Sequence, residues 1–142
     1  MIVLDTTILV YAVGVEHPLR GPCQRLLLAH GEGRVDGATT VEAIQEFAHI
    51  RARRRPRLDA VDAARAFASS LTMLMATPED LDRGLQLFAD HPGLGSFDAV
   101  LAAVAIGRGA EALVSADVGF AAIPGLRWID PATPDLESVI RA

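Results

Sequence analysis

Three apolar stretches in this chain run into an aspartate or stop just short of one: Ile2-Val3-Leu4 into Asp5, Ala112-Leu113-Val114 toward Asp117, and the helix-opening Ser96-Phe97 into Asp98. Glu46 adds a fourth acid. Carboxylates brought together from separate elements repel, by roughly 4 kcal/mol for a pair about 4 Å apart at an effective dielectric of about 20. Such a set needs a cation. Oxygen ligands around a divalent metal that leave positions open for water and substrate suit the hydrolysis of phosphodiesters.

Each acid also has a structural explanation. Asp5 follows a strand and could cap the next helix, but Thr6 and Thr7 can supply that cap, which frees Asp5. The Thr39 to Glu42 spacing matches a capping box, so Glu42 has a local job, whereas Glu46, one turn later on the polar face with His49 and Arg53, has none. Asp98 in a first helical turn is stabilised by the helix dipole by about 0.3 to 1 kcal/mol, which explains it as well as function does. Asp117 lies in a loop beyond a buried strand, beside Ser115, and loop acids at that edge lean functional. Asp130 precedes Pro131 and is explained by a turn.

The elements that must position these acids alternate between strand and helix. Met1 to Leu4 reads as a strand buried on both faces, followed by a helix carrying Leu9, Val10 and Val13 that ends at Gly14. A second helix spans about Pro18 to Ala29. Val35 centres a short second strand, with Asp36-Gly37 as a turn, and Thr39-Thr40 opens a helix bearing Val41, Ile44, Phe47 and Ala48 that Pro56 stops. A helix from about Leu58 to Ser69 precedes a strand over Leu71 to Ala76. Thr77 caps the next helix, with Pro78 in its first turn and Leu81, Leu85 and Phe88 as its apolar residues. Ser96 caps another, which ends at Gly107 and Gly109. Ala112 to Val114 and Leu126 to Ile129 complete the strands, Trp128 packs in the core, and a tail helix starts near Pro134. Alternation of this kind implies an α/β fold in three layers, α/β/α, with a mostly parallel central sheet and ligands at the carboxyl ends of its strands.

The 142 residues, 51% of them hydrophobic, fit one folded domain over 1–142. The longest apolar runs, Ile8 to Val15 and Ala99 to Ile106, fall well short of the roughly 20 residues a membrane span needs, so no membrane association is expected. A secretory signal would begin with a basic segment, yet the first basic residue is Arg20. With a single cysteine, Cys23, neither an internal disulfide nor a multi-thiolate zinc site can form, and a cytoplasmic location follows as the default.

The net charge of −5 argues against the whole surface binding a polyanion, but the 13 basic residues are unevenly placed. All are arginine, and Arg51, Arg53, Arg54, Arg55 and Arg57 form a run directly after the helix bearing Glu46. That run could hold a nucleic-acid backbone beside the acids, or could equally be a solvated helix end where cations meet the negative pole. The lack of lysine removes a required part from Walker-type phosphate loops, Schiff-base enzymes and lysine-assisted aspartyl-phosphate systems. His17, His30, His49 and His91 show no ligand-pair spacing and read as surface residues.

Four segments, MIVLDTTILVYA, TTVEAIQEFAHI, SFDAVLAAVA and LVSADVGF, resemble in order and spacing the PIN-domain ribonucleases, specifically the VapC-type toxins of bacterial toxin-antitoxin pairs. The resemblance covers nearly the whole chain. It implies a metal-dependent endoribonuclease whose acidic quartet is Asp5, Glu46, Asp98 and Asp117, with Asp5 and Asp98 as direct Mg2+ ligands (Mn2+ as the alternative ion) and Ser115 in support. Thr7 stands where the family more often has asparagine or serine, keeping a hydroxyl. The resemblance also implies a homodimer, an RNA substrate and a cognate VapB-type antitoxin. A catalytically inactive module that binds RNA or antitoxin through the arginines is the alternative.

Overall fold

In the computed structural model, which describes residues 1–141, three strands carry alternating faces into two cores. β1 (Ile2–Leu4) is the centre of a five-stranded sheet, with β2 (Gly37–Thr40) and β4 (Ala112–Val114) on either side, β3 (Thr72–Leu74) beyond β2 and β5 (Trp128–Ile129) beyond β4. Every pairing is parallel. Because successive side chains point to opposite faces, Ile2, Leu4 and Val114 enter one core while Val3 and Leu113 enter the other.

Helices α1 (Thr6–Val13), α2 (Arg20–Gly31), α3 (Val41–Arg51), α4 (Arg57–Ser70) and the tail helix α7 (Asp135–Ile140) close the first face around Ile8, Leu9, Leu26, Phe47 and Leu136. On the second face α6 (Ser96–Gly107) lays Ala99, Ala102 and Ala105 on the sheet, with Phe120 from a short 3-10 turn over Val118–Ala122. This is the three-layer α/β/α arrangement expected, with a fully parallel sheet. Among the described residues no helix is long and apolar enough to cross a membrane.

α5 (Pro78–Asp90) packs on α6 rather than on the sheet. The approach is close at Gly84, where an added Cβ would lie 2.7 Å from the Val100 Cα. The expected Thr77 cap is present and is reciprocal, since Thr77 Oγ1 accepts from the Asp80 N–H (3.1 Å) and Asp80 Oδ2 accepts from the Thr77 N–H (2.9 Å). Arg108, just past α6, donates to both Asp80 oxygens and to the Met75 carbonyl. Leu87 packs against the second core, but Leu81, Leu85 and Phe88 turn outward and are each about half exposed.

Several expected boundaries move. β2 begins at Gly37, where the sequence suggests a turn, and Val35 contributes a buried side chain from the preceding loop. The Thr39–Glu42 capping box does not form: Thr39 Oγ1 donates across the sheet to the Leu4 carbonyl (2.8 Å), and Thr40 caps α3 by accepting from the Ala43 N–H. Gly95, not Ser96, occupies the cap position of α6 and makes no side-chain cap bond. The strands at 71–76 and 126–129 shorten to Thr72–Leu74 and Trp128–Ile129. His30 is no surface residue; its ring is half-buried, with Nδ1 accepting from the Gly37 N–H (3.1 Å) and Nε2 beside the Ser70 carbonyl (2.9 Å).

Candidate acidic centre

β1 and β4 end side by side, with Leu4 in register with Val114, so the residues that follow them emerge at one sheet edge. Asp5 is buried there and, contrary to the expectation that Thr6 or Thr7 would cap α1, its own carboxylate is the cap. Oδ2 accepts from the Thr7 hydroxyl (2.9 Å), the Ser115 hydroxyl (2.7 Å) and, more distantly, the Thr7 N–H (3.4 Å). The side-chain hydrogen bonds to Asp5 among the described residues all fall on Oδ2, which leaves Oδ1 for the cavity beside it.

The two hydroxyls also organise the loop after β4. Ser115 Oγ accepts from the Asp117 N–H (3.0 Å), and Thr7 Oγ1 accepts from the Ala116 N–H (3.1 Å). Asp117 in turn caps the 3-10 turn, with Oδ1 accepting from the Gly119 N–H (2.8 Å). Asp130 accepts from the Ala132 N–H (2.8 Å), the turn role expected of it.

Glu46 reaches the centre from α3. Its Oε2 accepts from Thr6 Oγ1 (3.1 Å), whose hydroxyl also lies 3.1 Å from the Ala43 carbonyl. Asp98 enters from the first turn of α6. Asp5, Glu46, Asp98 and Asp117 all line one depression of about 210 Å³, together with Thr6, Thr7, Val10, Tyr11 and Ile50. A wider cavity of about 520 Å³ continues from Asp5, Glu46 and Asp98 toward Leu81, Leu85 and Phe97.

The electrostatics follow from this crowding. Burial, then the negative charge of Asp5, a hydrogen bond shared with Asp117, and the charges of Asp117 and Glu46 together push the Asp98 carboxyl up from 3.8 to about 7. The donors are hard carboxylate oxygens, and among the described residues no three acid, histidine or thiol side chains close into a cage. That combination fits Mg2+ or Mn2+, which are held by one or two carboxylates and keep several waters.

The arginines divide. Arg51 is committed within the fold, donating Nε to Asp59 (2.6 Å) and Nη1 to the Val13 carbonyl (3.0 Å), so it ties α1, α3 and α4 together. Arg53 Nη2 donates to His49 Nε2 across 3.0 Å. Arg54 and Arg55 are exposed and line a further cavity of about 610 Å³ with Tyr11 and His17.

Thr6 and Trp128 act on the site although neither is a candidate from sequence. Thr6 holds Glu46; its position directly after Asp5 is the available signal. Trp128 is half-buried rather than fully in the core, and its Nε1–H donates to the Ser115 carbonyl (2.9 Å), steadying the strand end that bears the Ser115 hydroxyl.

The sheet runs in the order β3-β2-β1-β4-β5 with acids gathered at the carboxyl edge of its central strands, and the chain belongs to the PIN domain family, whose model matches residues 2–126. Over 142 residues it is 47% identical to ribonuclease VapC7 of Mycobacterium tuberculosis, covering 99% of this chain and 98% of that one. It is 32% identical to ribonuclease VapC23 of the same species over 126 residues, covering 82% and 93% of the two chains. Among solved structures, VapC20 of M. tuberculosis, a sarcin-ricin loop cleaving toxin, superposes with a TM-score of 0.71 at 18% identity, covering 89% of this chain and 99% of that one. The VapBC2 complex of Rickettsia felis, bound to a promoter DNA fragment, gives 0.70 at 21% identity, covering 91% and 98%.

Proposed function

We propose that this chain is the toxin of a toxin-antitoxin pair, an endoribonuclease that cleaves RNA phosphodiester bonds with Mg2+ or Mn2+ and is silenced by a VapB-type antitoxin. The observation that carries this reading is the meeting of Asp5, Glu46, Asp98 and Asp117 at one depression. Relatives named as VapC ribonucleases, one of them 47% identical over nearly the full length, support the substrate and the reaction.

Asp5 and Asp98 hold the ion, and Glu46 and Asp117 complete the site. When bound, the metal supplies Lewis-acid stabilisation of charge on the phosphate and a water of lowered pKa. The chain supplies the rest. Thr7 and Ser115 fix Asp5 in one orientation, and Thr6 does the same for Glu46. Burial first, and then the charges of Asp5, Asp117 and Glu46, raise the proton affinity of Asp98, and those same charges would repel an RNA backbone unless a cation offset them. Arg53, Arg54 and Arg55 offer charge to the flanking phosphates, whereas Arg51 serves the fold.

The outward apolar residues of α5, with Phe97 at 76% exposure, support a homodimer through that face. Solved VapBC complexes among the structural neighbours support an antitoxin partner. A ribonuclease of this kind acts where RNA is, in the cytoplasm. The test is cleavage mapping on a labelled RNA panel with wild type and Asp5→Asn. Wild type should cut in Mg2+ and not in EDTA, and Asp5→Asn should fold and cut nothing; full activity in a folded Asp5→Asn protein sinks the assignment.

A further inference from the structure

We propose that the cavity between the ends of α1 and α3 is a nucleobase subsite for single-stranded RNA, in which an unstacked base near the bond being cut lies against the Tyr11 and His17 rings. This rests on the ribonuclease reading above and names how its substrate is held. The two rings already stack, with centroids 4.4 Å apart and planes at 28°. His17 is held in place by the Leu19 N–H, which donates to its Nδ1 (3.1 Å).

The cavity measures about 610 Å³, and Tyr11, Val10 and Ile50 form a wall common to it and to the acidic depression. A strand of RNA with its phosphate at the acids therefore places a neighbouring nucleotide at the rings. Flat π-surfaces suit an unpaired base of any sequence, because every base has a π-face. Arg54 and Arg55 on the same cavity supply cations for the adjoining phosphate, next to a centre that is itself anionic. Val10, Val13, Val15 and Ile50 give the cavity an apolar lining beside the rings, and it is the exposed cations of Arg54 and Arg55 next to the metal-binding acids that favour a polyanion carrying bases over an apolar polypeptide.

The chain has one tyrosine, so a ring-labelled protein gives a single set of tyrosine signals by NMR. Asp5→Asn protein in Mg2+ is titrated with heptauridylate, heptaadenylate and an abasic ribose-phosphate strand of equal length. The base-bearing strands should shift the Tyr11 ring signals upfield and the abasic strand should not. Tyr11→Leu should weaken binding of the base-bearing strands about tenfold, with Tyr11→Trp retaining it and melting curves confirming the fold. Equal affinity for base-bearing and abasic strands overturns the subsite, as does Tyr11→Leu binding RNA as tightly as its parent, or losing a protein partner while RNA binding persists. Cleavage by wild type is scored separately: cutting with an indifferent Tyr11 removes only the subsite, whereas no cutting with any divalent ion removes the ribonuclease reading beneath it.

Discussion

The Ser115 hydroxyl donates to Oδ2 of Asp5 across 2.7 Å, joining residues 110 positions apart, and the same oxygen of Ser115 accepts from the Asp117 N–H. One hydroxyl thus orients two of the four acids. Ser115→Ala removes both bonds with little change in volume. Metal affinity or cleavage should fall roughly 10- to 100-fold while the circular dichroism spectrum stays native, as for other residues that orient a metal ligand. An undiminished rate in saturating RNA, with undiminished Mg2+ affinity, would show that Asp5 needs no such support.

Proton binding gives a second expectation, with two groups acting in opposite senses. The Asp98 carboxyl sits at about 7 in the folded chain against 3.8 when unperturbed, so the folded state keeps a proton that the unfolded state has released. Its effect on stability is nil below the lower value, grows as an increasing loss while pH climbs toward 7, and is complete above it. Asp80 is the reverse: the Arg108 hydrogen bond, aided by Thr77, holds it at about 2, so its contribution is full above 3.8 and disappears as pH falls through 2. Metal-free protein should therefore melt highest near pH 3.8, as far as these groups decide it, and lose stability steadily from there toward pH 7. Saturating Mg2+ should raise the melting temperature more at pH 8 than at pH 5, which differential scanning fluorimetry in EDTA and in MgCl2 will read. A melting temperature indifferent to Mg2+ at pH 8 would count against convergent acids.

The arginine run should split by function. Arg54→Ala and Arg55→Ala should weaken RNA binding and reduce its dependence on log salt by about one ion for each phosphate no longer neutralised, without altering the melting temperature. Arg51→Ala should instead lower the melting temperature, because it releases Asp59 and the Val13 carbonyl. Filter binding at several salt concentrations, beside thermal melts, separates the two effects.

Much of the site is legible in the sequence because the strands that deliver it are plain. Ile2-Val3-Leu4 and Ala112-Leu113-Val114 are unbroken apolar runs, the usual composition of a parallel strand buried on both faces. Asp5 and Asp117 can be placed at one edge from that alone. β2 is harder, since Gly37-Ala38-Thr39-Thr40 lacks such a run, and its threonines look like helix caps. One of them is, but Thr39 uses its hydroxyl on the neighbouring strand, a long-range bond no local pattern reveals. The role of Asp5 as a cap is hidden for the same reason: Thr7 is free to cap in sequence, yet in the fold its hydroxyl is turned toward Asp5 and Ala116. The outward face of α5 is invisible to periodicity, which reports that a stripe exists and not whether anything covers it.

The pairing of β1 with β4 carries a consequence for synthesis on the ribosome. The strand that lies beside Asp5, the hydroxyl that orients it and the acid at 117 are all made more than a hundred residues after it, and the indole that steadies them later still. A nascent or prematurely ended chain holds the first acid without the loop that fixes it. Whatever hazard the finished molecule poses to the cell that makes it, the order of translation withholds that hazard until nearly the last of the sheet has been threaded out, leaving a partner made at the same time an interval in which to be ready.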